Sequence, residues 1–351
     1  MMKQKKWFLS TLIGCGIVLF LILLLMVIAD PYFHYHGKMP GMKYRINNER
    51  YINDGILKHF EYDAVITGTS MNQNFKTSQM NELWGTNAVK VPFSGAGFKE
   101  ISENLEKAFA SDNKIKYVLW GIDYNGLLRD ADYVAYSEYP EYLYDDNILN
   151  DVSYVWNKEI LVSGLLTNLI MTLQGEETTS FDEYASWDVG RGWDFIKQTH
   201  YSDPKILPMQ NELTLEEEAM IRENLINNIV SLAEANPETT FILFYAPYSI
   251  LYWDEIYRNG TLVKQLLTEN IASEILLECD NIELYSFFNK TDLICDLNYY
   301  RDNIHYVNDI NDAILLWFTN GIGKVTKDNY KELIQMEYNF YLNYNYDSLY
   351  Q

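Results

Sequence analysis

From Trp7 to Ala29 the chain reads WFLSTLIGCGIVLFLILLLMVIA, 23 positions without a charge. At 1.5 Å per residue a helix of that length spans about 34 Å, enough for a hydrocarbon core of about 30 Å. Lys3, Lys5 and Lys6 precede it and Asp30 follows it. The positive-inside tendency puts the tail 1–6 in the cytoplasm and everything after residue 29 outside. No later stretch is long and apolar enough to cross back. A cleaved signal peptide is the competing reading, with Val27 and Ala29 as small residues before a cleavage point, but the run exceeds the usual 7–15-residue apolar region of such peptides. On either reading the rest of the chain is exported. The first expectation is a single-pass protein of the cell membrane, with that membrane as its partner and its main domain extracytoplasmic.

The exported part is strongly acidic. The whole chain has 27 basic and 49 acidic residues, and without the three tail lysines the balance is −25. Such a surface does not neutralise phosphates, which excludes nucleic acid as a partner. Aromatic residues make up 15 % of the chain, with 29 tyrosines. They suit amphipathic or sugar-like ligands, and equally an aromatic-rich core. Of three cysteines, Cys15 lies in the apolar segment, and Cys279 and Cys295 are left as either a pair or two free thiols. No CxxC, HExxH or EF-hand pattern occurs, so neither a metal nor another cofactor is expected.

After a connector at 30–62, short apolar runs alternate with helical patterns. Residues 63–67 (DAVIT), 88–91 (AVKV), 117–120 (YVLW), 240–245 (TFILFY) and 282–285 read as buried strands bounded by Gly, Pro or Asn. Helical segments are expected at 71–84, 98–109, 214–235, 260–278, 309–319 and 328–340. The segment 98–109 carries Ile101, Leu105 and Phe109 at four-residue steps, and Thr214 opens another with T-L-E-E, a capping-box pattern. The stretch at about 125–208 breaks the rhythm and reads as a helical insertion, with a helix near 159–173. Strands separated by helices imply an α/β fold with a central parallel sheet, helices on both faces, and a working site at the carboxyl ends of the strands. The folded domain is expected over 63–345.

Two places at strand ends carry chemistry. Gly68-Thr69-Ser70 follows the first strand, and a serine opening a helix there either presents a hydroxyl near backbone N–H groups or simply caps the helix. A nucleophilic serine needs a base. His34, His36, His59 and His200 compete with His305, which follows the last strand with Asp302 three residues ahead. That spacing lets the carboxylate orient the imidazole. Asp296, Asp302, Asp309 and Asp312 cluster in sequence, and a solvated acidic loop accounts for them. Tyr245 and Tyr248 flank the end of the fourth strand at Ala246-Pro247, where they would line an acceptor groove.

A serine after the first strand together with D-x-x-H before the last helices resembles the SGNH/GDSL hydrolase-like superfamily, from about Asp63 to Thr319, although Thr69 stands where the family's first block has Asp. The resemblance implies a flavodoxin-like three-layer sandwich, with Ser70 as nucleophile, His305 as base and Asp302 as its orienter. It also implies an oxyanion hole built from the Ser70 amide, a glycine amide after strand two and an asparagine after strand three. Here those positions fall on Gly95, or on Pro92 in the alternative alignment, which has no N–H to give, and on Asp123, with Asn125 as the nearby amide. The anchor and the following DPYFHYH look like exported members that modify cell-envelope polymers. The implied activity is hydrolysis or transfer of a small acyl group on an envelope glycopolymer, with that polymer or an acyl-donor protein as partner. The alternative is a degenerate member serving as a polymer-binding or partner-recruiting scaffold.

Overall fold

The computed structural model describes residues 2–135, 140–145, 147–187, 190–198 and 205–350. The chain divides into two units, one of Met1–Phe60 with Glu138–Tyr184, the other of Glu61–Ser137 with Ala185–Gln351.

The first unit holds α1 (Met2–Ala29) and α2 (Glu49–His59). Helix α2 lies inside the stretch read as a connector and buries Ile52, Ile56 and Leu57. A further helix spans Ile160–Gln174, its first half π-wound. The expected insertion at 125–208 is split: Glu138–Tyr184 falls in the first unit, whereas its two ends fall in the second.

The second unit is an α/β sandwich around a six-stranded sheet. Its strands are β1 (Ala64–Thr67), β2 (Ala88–Lys90), β3 (Tyr117–Gly121), β4 (Thr240–Tyr245), β5 (Ile282–Ser286) and β6 (Lys324–Val325). They run in the order β2-β1-β3-β4-β5-β6, with all neighbours parallel except β6, which runs against β5. All four residues of β1 are buried, as a parallel strand covered on both faces requires. The core between sheet and helices holds Val65, Ile66, Val118, Leu119, Phe241 and Phe244. Phe244 meets Phe75 on one side and Phe318 on another, with edge-to-face geometry in both cases. The five strands read from the sequence all exist. The antiparallel β6 is too short to leave a pattern.

The order 2-1-3-4-5 reverses direction between β1 and β3, and a crevice opens at the carboxyl ends of strands at such a reversal. Thr67 of β1 pairs with Trp120 of β3. Residues 68–70 therefore leave the sheet beside residues 121–123.

Among the helices of this unit, α3 (Thr77–Trp84) is preceded by a separate 3-10 turn at Ser70–Asn72 rather than running unbroken from 71. Helix α4 (Phe98–Ala110) buries Ile101, Leu105 and Ala108 as its periodicity demands, with Phe109 half-buried against Phe241. The helix opened by Thr214 begins at Leu215 with both arms of its capping box formed. A helix at Ile250–Arg258 follows β4 directly, and Asp254 holds Arg258 at 2.7 Å within it. Cys279 and Cys295 are both free thiols.

Candidate active site

The first strand leaves the sheet through Gly68, whose φ of +131° suits glycine alone. A Cβ there would also collide with the buried side chain of Asn72. Gly121 at the end of β3 makes room for the same side chain, since a Cβ would lie 2.6 Å from Asn72 Oδ1. Asn72 thus fills the gap between the two strand ends, beside the turn that carries Ser70.

Ser70 Oγ lies 2.8 Å from His305 Nε2. On the other side of the ring, His305 Nδ1 lies 2.8 Å from Asp302 Oδ2 and 3.1 Å from Oδ1. A carboxylate accepts only, so Nδ1 carries the proton and Nε2 is left to accept from the serine hydroxyl. Asp302 Oδ1 also accepts the backbone N–H groups of Ile304 at 2.9 Å and His305 at 2.7 Å. Partial burial works to raise the Asp302 carboxyl, but the hydrogen bonds from His305 and Ile304 outweigh it and hold it below the usual carboxylate range. The loop carrying these residues is tied to the end of β4. Ser249 donates both its backbone N–H and its hydroxyl to the Asn303 carbonyl, and the Tyr300 hydroxyl donates to the Pro247 carbonyl.

Trp187 sets its ring against His305 edge to face, with centroids 5.3 Å apart. Its indole N–H donates to Gln73 Oε1 and its backbone N–H to Asn74 Oδ1, both at 2.8 Å. The Arg301 guanidinium covers the indole at 5.1 Å. Nothing in the sequence marks Trp187, because its link to the site passes through residues 114 and 113 positions away.

A cavity of about 100 Å³ opens beside Ser70. Thr69, Asp123, Asn125, Arg129 and Tyr248 are among its walls. Thr69 and Tyr248 each donate a hydroxyl to Asp123, one to each carboxylate oxygen. Burial is the largest influence on Asp123 and raises its carboxyl; the two hydroxyl donors, His305 and Arg129 oppose it without cancelling it. Arg129 holds its guanidinium 4.2 Å over the Tyr133 ring. Arg129 was legible only as a cation six residues beyond Asp123.

The expected oxyanion positions fare differently. Asp123 and Asn125 line the cavity, while Gly95 is exposed in a turn at φ +68° and its neighbour Ala96 takes the place on the wall. The physical reason is the turn itself: Ala96 donates its N–H to the Phe93 carbonyl, which swings residue 95 outward. Tyr245 is also displaced from the expected groove. It is buried and stacks on Phe288, and only Tyr248 reaches the cavity.

Two of the four competing histidines are engaged elsewhere. His34 meets Asp151 at 3.1 Å, and both ring nitrogens of His36 face backbone carbonyls, those of Gly37 and Val27. His200 lies outside the described residues. The four clustered aspartates disperse onto separate partners: Asp312 to Lys76, Asp309 to Arg191, Asp296 to Asn298, Asp302 to His305. Among the described residues no group of three or more potential metal ligands gathers.

No protein-family model matches this chain, and no curated protein matches its sequence. Among solved structures, one provisionally described as a platelet activating factor from Streptococcus pneumonia aligns at 15 % identity with a TM-score of 0.39, over 78 % of this chain and 91 % of that one.

Proposed function

We propose that this chain is a membrane-anchored SGNH-type esterase or O-acyltransferase acting outside the cytoplasm on an acylated envelope glycopolymer. The observation that carries the reading is the unbroken chain of short contacts from Ser70 through His305 to Asp302. That arrangement performs nucleophilic acyl chemistry. The Ser70 hydroxyl attacks the acyl carbonyl while His305 Nε2 takes its proton. Asp302 holds the ring and stabilises the imidazolium that results. The proton then passes to the departing alkoxide, leaving an acyl group on Ser70. Water or a second sugar hydroxyl, deprotonated by His305, removes it.

The cavity beside Ser70, with Thr69, Asp123, Asn125 and Tyr248 among its walls, is the space that would receive the acyl group. The Ser70 amide and the Asn125 side chain are the donors for the developing oxyanion. The anchor is supplied by α1, the one described helix long and apolar enough to cross a membrane.

The reading is tested by mixing the detergent-solubilised full chain with p-nitrophenyl acetate and digesting it for mass spectrometry. An acetyl adduct on the peptide carrying Ser70 is the expected result, absent from Ser70→Ala. Steady turnover without any adduct, unchanged in Ser70→Ala, contradicts it.

A second reading rests on Asp123. Both of its oxygens are committed as acceptors, so it offers no donor to an oxyanion, and Gly95 is off the cavity. A binding scaffold of the same fold meets these facts. Wild-type cellular function in a Ser70→Ala, His305→Ala double variant favours the scaffold.

A further inference from the structure

We propose that the exposed face of the helix Ile160–Gln174 lies along the bilayer surface with its side chains among the lipid acyl chains, beside the point where α1 leaves the membrane. The proposal rests on the anchored reading of α1.

Residues 160–175 contain no charge over sixteen positions. Val162, Leu166, Ile170 and Leu173 are 49, 49, 43 and 87 % exposed. Their spacing of four, four and three places all of them on one stripe. Single exposed leucines are ordinary on a water-facing surface, but an uncharged helix with a continuous apolar stripe is not.

The opposite face is fastened within the same unit. Leu165 and Met171 are buried. Gly164 packs closely on Pro31, where a Cβ would come within 3.0 Å of the proline ring. Asn168 Oδ1 accepts the Arg45 N–H at 2.7 Å, and Thr172 Oγ1 accepts the Lys43 N–H at 2.8 Å. The stripe is therefore held outward by a fixed scaffold.

Its occupant follows from what it adjoins. Among its described side chains, helix α1 buries only Met26 and Ala29, with Ile22 half-covered, and keeps Val27 and Ile28 exposed to its last turn. The helix Ile160–Gln174 and the short turn Val152–Val155 both pack on α1. Val152 and Trp156, exposed beside them, extend the apolar surface. The surface is thus continuous with the sides of α1 that face lipid. Fifteen residues rise about 22 Å, too little to span the core, so the helix lies in the plane of the interface. Charged residues resume only at its ends, with Lys158 and Glu159 before it and Glu176 and Glu177 after it. The acidic chain gains nothing from anionic headgroups, so the association is apolar and holds on neutral lipid.

The test uses the full chain reconstituted in phosphatidylcholine vesicles, with Cys15, Cys279 and Cys295 changed to Ser. Single variants Leu166→Cys, Leu173→Cys, Glu177→Cys and Ile17→Cys carry a nitroxide, and collision with oxygen is compared with collision with a water-soluble nickel chelate. Labels at 166 and 173 are expected to favour oxygen, as the label at 17 does, while the label at 177 favours nickel. Nickel-accessible labels at both 166 and 173 overturn the proposal. So does shielding from both reagents, which assigns the face to a second copy or another protein. A nickel-accessible label at 17 overturns the anchor, and the proposal with it, whereas oxygen preference at 17 alone leaves the anchor standing and refutes the interfacial helix.

Discussion

Thr69 donates its hydroxyl to Asp123, 54 positions further along the chain. Since Thr69 precedes Ser70, this contact ties the turn carrying Ser70 to the end of β3. Tyr248 donates to the second oxygen of the same carboxylate and ties in the end of β4. Three strand ends are thereby held together under the cavity by one acidic side chain. The same contacts place one hydroxyl donor on each of its oxygens.

Replacing Asp123 by Asn keeps an acceptor for one hydroxyl and adds an N–H facing the cavity. A single oxyanion donor contributes on the order of 10²–10³ in rate when ideally placed. Asp123→Asn is therefore expected to raise kcat/KM for p-nitrophenyl acetate, by roughly 10-fold given imperfect placement. A loss of activity with an unchanged melting temperature shows instead that the carboxylate itself is needed.

Arg129 places a cation on the cavity wall in a chain of net charge −22. It is expected to favour substrates bearing an anionic group next to the acyl ester. Arg129→Gln should raise KM for such an ester by about 10-fold, a typical effect of removing one charge-assisted hydrogen bond, with kcat/KM for a neutral ester little changed. Equal losses on both esters assign Arg129 a structural role.

Trp187 restricts the ring of His305 from one side. Trp187→Ala frees the imidazole, and small misplacements of a catalytic group are costly. The expected result is a fall in kcat of roughly 10-fold with KM nearly constant, largely restored in Trp187→Phe. Restoration failing in Trp187→Phe points to the indole N–H bond with Gln73 as the part that matters.

Glu269 and Glu337 are buried beside one another away from the cavity, and each has a hydrogen-bond donor, Ser286 and Asn289 respectively. Burial pushes Glu269 up to about 7 and Glu337 well above the usual carboxylate range, the latter also because Glu269 is near. A carboxyl raised in the folded state favours folding while protonated. That stability is complete below the ordinary carboxylate value and is lost as pH rises through about 7. The melting temperature should fall between pH 5 and pH 8, and Glu269→Gln should flatten the fall, raising Tm at pH 8 by about 3 °C or more. Parallel profiles for the two proteins contradict this.

Ser70 was legible from its place just after the first strand and His305 from its D-x-x-H spacing, but only the family resemblance joined the two across 235 positions. The five parallel strands were legible because strands covered on both faces are written as short apolar runs. Partners chosen by tertiary packing were not. The Asp123 carboxylate could be located from its place after β3, but not its hydroxyl donors. Gly95 was favoured by the resemblance, and a turn whose hydrogen bond from Ala96 to Phe93 leaves no sequence mark turns it off the cavity wall. The helix α2 went unread because its three buried apolar residues, Ile52, Ile56 and Leu57, fall in a short polar segment that offers no strong cap, and the side chain of Asn48 before it makes none.

The central claim is that Ser70 is an activated nucleophile. Labelling of the folded full chain with a fluorophosphonate probe tests it most directly. A single adduct on Ser70 is expected, abolished in Ser70→Ala and slowed by a factor on the order of 10² or more in His305→Ala, where the base is lost. Wild-type protein that is folded but never labels, or that labels as well in Ser70→Ala, contradicts the account.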